Sequence, residues 1–92
     1  MFKLVLTSKF NKDLKKIKKR GYDLSKIEKV IDALLNGERL SYSKRDHALT
    51  GNYHGFRECH IEPDWLLIYA IDEDRLILTA SRTGTHSDLY QG

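Results

Sequence analysis

Residues 56–81 read FRECHIEPDWLLIYAIDEDRLILTAS and contain three short apolar runs, Phe56–Ile61, Trp65–Ile71 and Leu76–Ser81. Each run is rich in β-branched and aromatic residues, which is typical of a strand. Pro63 separates the first two runs, and an acidic stretch separates the last two, as expected of antiparallel hairpin turns. The sequence therefore predicts three consecutive antiparallel strands.

The residues before this stretch predict one further strand and two helices. The apolar run over residues 2–7 indicates the strand, and two segments with apolar residues at helical spacing follow it. Ser8 is the expected N-cap of the first helix, and Gly21 and Gly37 are placed to end the two helices. Residues 38–52 lack a period and predict a long ordered loop. The order β-α-α-β-β-β predicts an α+β fold, with both helices on one face of an antiparallel-rich sheet.

Length and composition indicate one small domain over residues 1–92. The one cysteine, Cys59, cannot form an internal disulfide, which fits a reducing cytosol. The apolar run at the N-terminus is too short for a secretory signal, and no apolar stretch approaches the roughly 20 residues that span a bilayer. We therefore expect a cytoplasmic protein that makes no use of a membrane.

The charge is distributed unevenly between the two halves of the chain. Residues 1–45 carry 13 Lys and Arg against 5 Asp and Glu, whereas residues 46–92 carry 3 against 8. The first predicted helix holds most of the lysines, on the arc opposite its apolar stripe. Such an arc is usually a solvated face, but lysines three and four residues apart repel one another. We interpret Lys12, Lys16 and Lys19 as contacts for a polyanion.

Five residues of the acidic half form a candidate catalytic set: His47, His60, Asp64, Arg82 and His86. Imidazole titrates near neutral pH, so one histidine can accept a proton while another donates one. An arginine supplies a permanent forked cation for phosphate oxygens. These residue types suit the cleavage of RNA by its own 2′-hydroxyl, which needs a base, an acid and a cation.

Three alternatives apply to the same residues. Each histidine taken alone could be an ordinary surface side chain, and Arg82 could be a solvated arginine at a strand end. Histidines and an aspartate could also hold zinc or manganese, but their spacing matches no standard metal motif.

Side chains alternate along a strand, so Cys59 should point away from His60 as a buried, unreactive thiol.

Three segments resemble a known family. They are Asp46-His47-Ala48-Leu49-Thr50-Gly51, Arg57-Glu58-Cys59-His60-Ile61-Glu62-Pro63-Asp64-Trp65 and Arg82-Thr83-Gly84-Thr85-His86. They are similar to the YafQ branch of the RelE/ParE superfamily of bacterial toxins. The resemblance covers nearly the whole chain and is most specific from Asp46 to Tyr90. It implies a compact RelE-like fold and a toxin that cuts messenger RNA on the ribosome.

The resemblance also implies a mechanism and roles for the residues. The reaction would be a transesterification without metal or other cofactor, leaving a 2′,3′-cyclic phosphate and a 5′-hydroxyl. We expect His86 to act as the general acid and His47 or Asp64 as the general base. His60 would orient or polarise the reacting groups, and Arg82 would stabilise the charge on the phosphate. Tyr90 and Trp65 are aromatic surfaces on which bases can stack, although core packing is the favoured interpretation of Trp65.

The expected partners follow from the resemblance. They are the ribosome, messenger RNA and a cognate antitoxin, which is expected to be ribbon-helix-helix-like and encoded by the adjacent gene. Operator DNA would be bound only through that antitoxin. Two other functions remain open: a ParE-like inhibitor of DNA gyrase without catalysis, and a passive RNA-binding module that uses the basic helix alone.

Overall fold

The computed structural model describes residues 1–90. Five strands and three helices make up the fold, in this order: β1 (Lys3–Leu6), α1 (Ser8–Lys19), α2 (Leu24–Leu35), β2 (His47–Ala48), β3 (Arg57–Glu62), β4 (Trp65–Asp72), β5 (Ile77–Gly84) and α3 (His86–Tyr90). Two single 3₁₀ turns, Tyr42–Lys44 and Gly51–Tyr53, flank β2.

The strands form one sheet in the order β1-β5-β4-β3-β2. Strand β1 runs parallel to β5, and every other neighbouring pair is antiparallel. Helices α1 and α2 connect β1 to the rest of the sheet and supply the crossover that a parallel pair requires. The predicted α+β class and the antiparallel-rich sheet are confirmed.

The main core lies between the two helices and one face of the sheet. Helix residues such as Phe10, Ile17 and Ile27 pack there against alternate residues of the strands, including Trp65 and Tyr69. Both helices therefore pack on one face of the sheet, as predicted. Helix α2 is capped by the Asp23 side chain, which accepts a hydrogen bond from the Ser25 amide.

The opposite face of the sheet, called here the outer face, is not bare. Leu66 and Ile68 of β4 form a second, smaller cluster there with Leu89 of α3. Side chains of the segment before β3 pack against this cluster: Leu49, Tyr53 and Phe56. A loop and a short helix therefore cover part of this face.

Three local expectations need correction. Thr7, not Ser8, caps α1, because its hydroxyl accepts a hydrogen bond from the Phe10 amide at 3.0 Å. The predicted loop contains the two-residue strand β2, which pairs with β3. The third predicted strand was placed one residue too early, because Leu76 has a φ of +55° and belongs to the turn before β5.

Among residues 1–90, no helix is long and apolar enough to cross a membrane.

Candidate active site

Strand pairing aligns part of the candidate set in one row across the outer face. His47 of β2 is paired with Glu58 of β3, and Glu58 is paired with Ile68 of β4. Ile68 is in turn paired with Arg82 of β5. His60 lies two residues beyond Glu58 and therefore on the same face, because strand side chains alternate. Residues distant in sequence are thus brought to one surface by the register alone.

Glu58 lies at the centre of this surface and was missed in the sequence analysis. It is only 5% exposed. Its Oε1 atom lies 3.5 Å from Nε2 of His47 and 3.7 Å from Nε2 of His60, and the hydroxyl of Tyr90 donates a hydrogen bond to its Oε2 atom. One carboxylate thus links two histidines and a tyrosine. Its position two residues before His60 was the signal that could have revealed it.

The side chain of His47 is held in one tautomer when it is neutral. Its Nδ1 atom lies 2.7 Å from the backbone carbonyl oxygen of Arg45. A carbonyl oxygen can only accept, so Nδ1 carries the proton and Nε2 keeps a free lone pair. Asp46 fixes the loop beside it, since it accepts hydrogen bonds from the Tyr69 hydroxyl at 2.5 Å and from Arg57 Nε at 3.2 Å.

His86 and Asp64 form the second half of the site. The Asp64 Oδ1 atom lies 2.6 Å from Nδ1 of His86 and accepts the His86 backbone amide at 2.9 Å. The backbone and side-chain hydrogen bonds from His86 lower the pKa of Asp64. Asp64 therefore stays ionised, fixes a proton on Nδ1 and leaves Nε2 of His86 to exchange a proton with a substrate. The ring of His86 lies 5.8 Å from that of His60.

Arg82 is held by a residue of helix α1. Its Nε and Nη2 atoms donate to the two carboxylate oxygens of Asp13, at 2.7 and 3.1 Å. The hydrogen bond to Asp13 raises the pKa of Arg82 further, against a smaller opposing effect of burial. Arg82 is therefore a fixed cation in the row of Glu58 and His47, held by Asp13 of α1 and with the Tyr53 side chain also beside it.

Helix α3 carries His86 and Tyr90 and was also missed in the sequence analysis. It begins with a capping box, since the Thr85 amide donates to Asp88 and the Asp88 amide donates to the Thr85 hydroxyl. The spacing Thr85-x-x-Asp88 was the available signal. Gly84 is required before it, because a Cβ there would lie 2.9 Å from the Cβ of Asp88.

The two aromatic residues predicted to contact RNA lie in different environments. Trp65 is 0% exposed, and its Nε1 atom donates to the Thr83 hydroxyl at 2.9 Å. It has no surface on which a base could stack, so the structure supports core packing, which the sequence favoured. Tyr90 is 44% exposed and lies beside Tyr53 and His86. Burial and the hydrogen bond to Glu58 raise the pKa of Tyr90.

The predicted basic residues lie on α1, away from the histidines. Lys12 and Lys16 line an open cleft together with Lys9, Asp13 and Arg82. Lys19 is exposed near the end of the same helix. The cleft runs from these lysines to Arg82. Arg82 in turn belongs to the row of paired residues that includes Glu58 and His47 on the outer face.

Cys59 is excluded as a nucleophile by its environment. It is 0% exposed in the main core, on the face opposite His60 as predicted. Burial raises the pKa of its thiol to about 12, so the reactive thiolate is scarce at neutral pH.

Comparisons with known proteins identify the family. Residues 2–91 match the family described as the bacterial toxin of type II toxin–antitoxin systems, YafQ. The chain belongs to this family. A curated relative, the mRNA interferase toxin YafQ of Escherichia coli K12, is 36% identical over 85 residues, which cover 91% of this chain and 90% of the relative. The YafQ resemblance and the enzyme class of the family's relatives agree with the sequence analysis.

Solved structures of related toxins have the same fold. A crystal structure of the E. coli DinJ–YafQ complex matches with a TM-score of 0.89 and 34% identity, covering 98% of this chain and 99% of that chain. A crystal structure of a metal-bound toxin from Helicobacter pylori matches with a TM-score of 0.92 and 40% identity, covering 98% and 100%. Within residues 1–90 of the present chain, no group of three or more His, Cys, Asp and Glu side chains is arranged to hold a metal ion.

Proposed function

We propose that this type II toxin is a ribosome-dependent endoribonuclease that cleaves messenger RNA by acid–base transesterification without a metal. The 2′-hydroxyl of the RNA would attack the adjacent phosphate, leaving a 2′,3′-cyclic phosphate and a 5′-hydroxyl. One observation carries the proposal. Two histidines of the outer face, His47 and His86, each have Nδ1 bound to an acceptor, so that Nε2 is the nitrogen available for proton transfer.

The geometry favours His47 over Asp64 as the general base. Asp64 already accepts two hydrogen bonds from His86, and its pKa is lowered, so it is a weak proton acceptor. His47 instead has a lone pair on Nε2 close to Glu58. A proton accepted there would face Oε1 of Glu58, which lies 3.5 Å away.

His86 is the proposed general acid, and the Asp64 carboxylate orients its ring. Nδ1–H of His86 faces the Asp64 carboxylate, so an imidazolium at His86 is charge-paired while its Nε2–H donates to the leaving 5′-oxygen. His60 lies between the two halves, near Glu58 and beside the His86 ring, where it can orient the reacting groups. Arg82 would stabilise the negative charge that develops on the phosphate.

Substrate contacts are proposed for the exposed aromatic and the basic helix. Tyr90 offers a partly exposed ring beside His86, on which a base next to the scissile phosphate could stack. Lys12, Lys16 and Lys19 would contact phosphates of ribosomal or messenger RNA. Trp65 is left out of these contacts, because it is buried.

The proposed partners are a cognate antitoxin, the ribosome and messenger RNA, in the bacterial cytoplasm. The related YafQ of E. coli is found in a complex with DinJ, which supports an antitoxin for this chain as well. We expect that antitoxin to be ribbon-helix-helix-like, to be encoded by the adjacent gene and to provide the contact with operator DNA.

The proposal is tested by incubating the purified toxin with a messenger RNA in three settings. These are the free RNA, the RNA bound to ribosomes, and the RNA bound to ribosomes with an excess of antitoxin. We expect cleavage in the second setting only. A parallel supercoiling assay with DNA gyrase separates the ParE-like alternative: gyrase inhibition without RNA cleavage would replace the proposed function. Ribosome binding without cleavage would instead support a passive RNA-binding module.

A further inference from the structure

Asp13 is an unusual residue in its helix. It is the only acid among the residues of α1, which otherwise carries six lysines. It is also only 8% exposed, whereas most lysines of α1 are exposed. A buried carboxylate is costly unless it is fully paired, so its retention in a basic helix needs a physical reason.

The pairing of Asp13 is complete and is directed at β5. Its carboxylate accepts three hydrogen bonds, from Nε and Nη2 of Arg82 and from the backbone amide of Thr83, at distances of 2.7, 3.1 and 3.1 Å. The Thr83 hydroxyl is fixed in turn, since it accepts from Trp65 Nε1 and donates to the Leu66 carbonyl oxygen. The contact thus fastens α1 to the strand that leads into α3.

Asp13 binds only one of the two edges of the guanidinium. A guanidinium has a side edge, formed by Nε and one terminal nitrogen, and an end edge, formed by the two terminal nitrogens. Asp13 binds the side edge of Arg82. Asp13 makes no bond to the end edge, Nη1 with the second hydrogen of Nη2, and two hydrogens there point in the parallel geometry that a phosphate accepts; the Tyr53 side chain lies nearby. The Arg82 side chain is 23% exposed, so a ligand can reach it.

We propose that Asp13 is a positioning residue that holds Arg82 by its side edge and presents the end edge to the scissile phosphate. This inference rests on the proposed function, in which Arg82 stabilises the charge of the reacting phosphate. Asp13 does not touch the RNA. It acts by fixing the direction of one cation, and a displacement of about 1 Å in such a group can cost on the order of a hundredfold in rate.

The test is a double-mutant cycle on Asp13 and Arg82. The four proteins are the wild type, Asp13→Asn, Arg82→Ala and the double variant, and each is measured for the single-turnover cleavage rate of ribosome-bound messenger RNA at saturating toxin. Ribosome affinity and thermal unfolding are measured on the same samples. Asp32→Asn, at an exposed position of α2, is the matched control, because it makes the same change of charge without touching Arg82.

We expect Asp13→Asn to lower the cleavage rate by about tenfold to a hundredfold in the wild-type background, with ribosome affinity not reduced. In the Arg82→Ala background the same change should lower the rate less than about twofold, because the group that Asp13 positions is already absent. A merely structural role would give the same loss in both backgrounds, and that result, or a wild-type rate for Asp13→Asn, would overturn the inference.

The single variants distinguish a failure of the role of Arg82 from a failure of the positioning role of Asp13. If Arg82→Ala cleaves at the wild-type rate, the proposed role of Arg82 fails. A loss for Arg82→Ala without a loss for Asp13→Asn overturns only the positioning role of Asp13. If Asp13→Asn does not fold, the cycle is repeated with Asp13→Glu, which keeps the charge and shifts the carboxylate. Asp13→Glu should lower the cleavage rate in the wild-type background and have little effect in the Arg82→Ala background. An equal loss in both backgrounds would count against the inference.

Discussion

The two faces of the same strands perform different tasks. On the helix-facing side, residues such as Cys59, Trp65 and Leu67 are completely buried in one continuous apolar core. On the outer side, Glu58 and His60, the two residues that flank Cys59, belong to a polar network over a much smaller apolar cluster. Alternation along a strand thus separates stability from chemistry by a single residue step. Substitutions on the two faces should therefore affect different measurements.

The largest expected effect is on the outer face, at His86. If His86 protonates the leaving oxygen, His86→Ala should lower ribosome-dependent cleavage on the order of 10²–10⁴-fold and leave the unfolding temperature nearly unchanged. His54→Ala is the matched control, because His54 is an exposed histidine outside the site. A folded His86→Ala protein that cleaves at nearly the wild-type rate would remove the acid from the mechanism.

On the helix-facing side, Trp65→Ala should act on stability. Trp65 is fully buried, packs edge-on against Tyr22 with ring centres 5.1 Å apart and donates to Thr83. Its truncation should lower the free energy of unfolding by about 3–5 kcal/mol, measured by urea denaturation. Tyr90→Ala, at a partly exposed residue of the outer face, should destabilise less and reduce cleavage more. Equal loss of stability at both positions would contradict the division between the faces.

The basic face of α1 should affect binding without affecting chemistry. Replacing Lys12, Lys16 and Lys19 together by Gln should reduce the salt dependence of ribosome binding by about one unit of slope per lost phosphate contact. Cleavage of bound RNA should stay near normal. The control is a triple change of equal charge at Lys15, Lys18 and Lys29 to Gln. If both triple variants lose affinity equally, only the total charge matters and no specific face is used.

The smallest effect is expected at Asp88, which links α3 to Arg20, the residue that follows α1. Arg20 donates to both of its carboxylate oxygens, at 2.7 and 2.9 Å, and this hydrogen bond lowers the pKa of Asp88 well below its usual range. A lowered pKa in the folded state stabilises above the unfolded-state pKa of about 4, and the stabilisation is lost as the pH falls through the folded-state pKa.

Asp88→Asn should therefore lower the free energy of unfolding by about 1 kcal/mol at pH 7. The difference from the wild type should shrink as the pH falls below about 4. Asp74→Asn, at an exposed turn residue, should show no such difference. A difference for Asp88→Asn that is independent of pH would show that the ion pair with Arg20 is not its source.

Much of the fold was predictable, because it rests on local periodicity. The three apolar runs, the helical spacing of α1 and α2 and the alternation that separates Cys59 from His60 are all visible in the sequence. Strand β2 was not predictable in this way, because two residues are too few to show a period. It exists because β3 offers a partner edge, and it is the element that delivers His47 to Glu58.

The residue types of the candidate site were predictable from the sequence, but the side-chain contacts between them were less so. The five candidate residues came from residue types and family resemblance, and the structure brings His47, His60 and His86 to one surface. The partner of Arg82, however, lies 69 residues away on α1. No local pattern connects Asp13 to β5, so this pair could be found only in three dimensions. Glu58 was visible in the sequence but looked like an ordinary strand carboxylate until its neighbours were known.

If the outer face cleaves RNA by proton transfer to and from its histidines, the ends of the cleaved RNA identify the attacking group. Ribosome-bound messenger RNA is cut by the toxin, with His86→Ala as the inactive reference, and both new ends are identified by mass spectrometry and by their need for a kinase before ligation. We expect a 2′,3′-cyclic phosphate on the upstream fragment and a 5′-hydroxyl on the downstream fragment. A 3′-hydroxyl with a 5′-phosphate would mean that water, not the 2′-hydroxyl, attacks the phosphate, and would rule out the proposed mechanism.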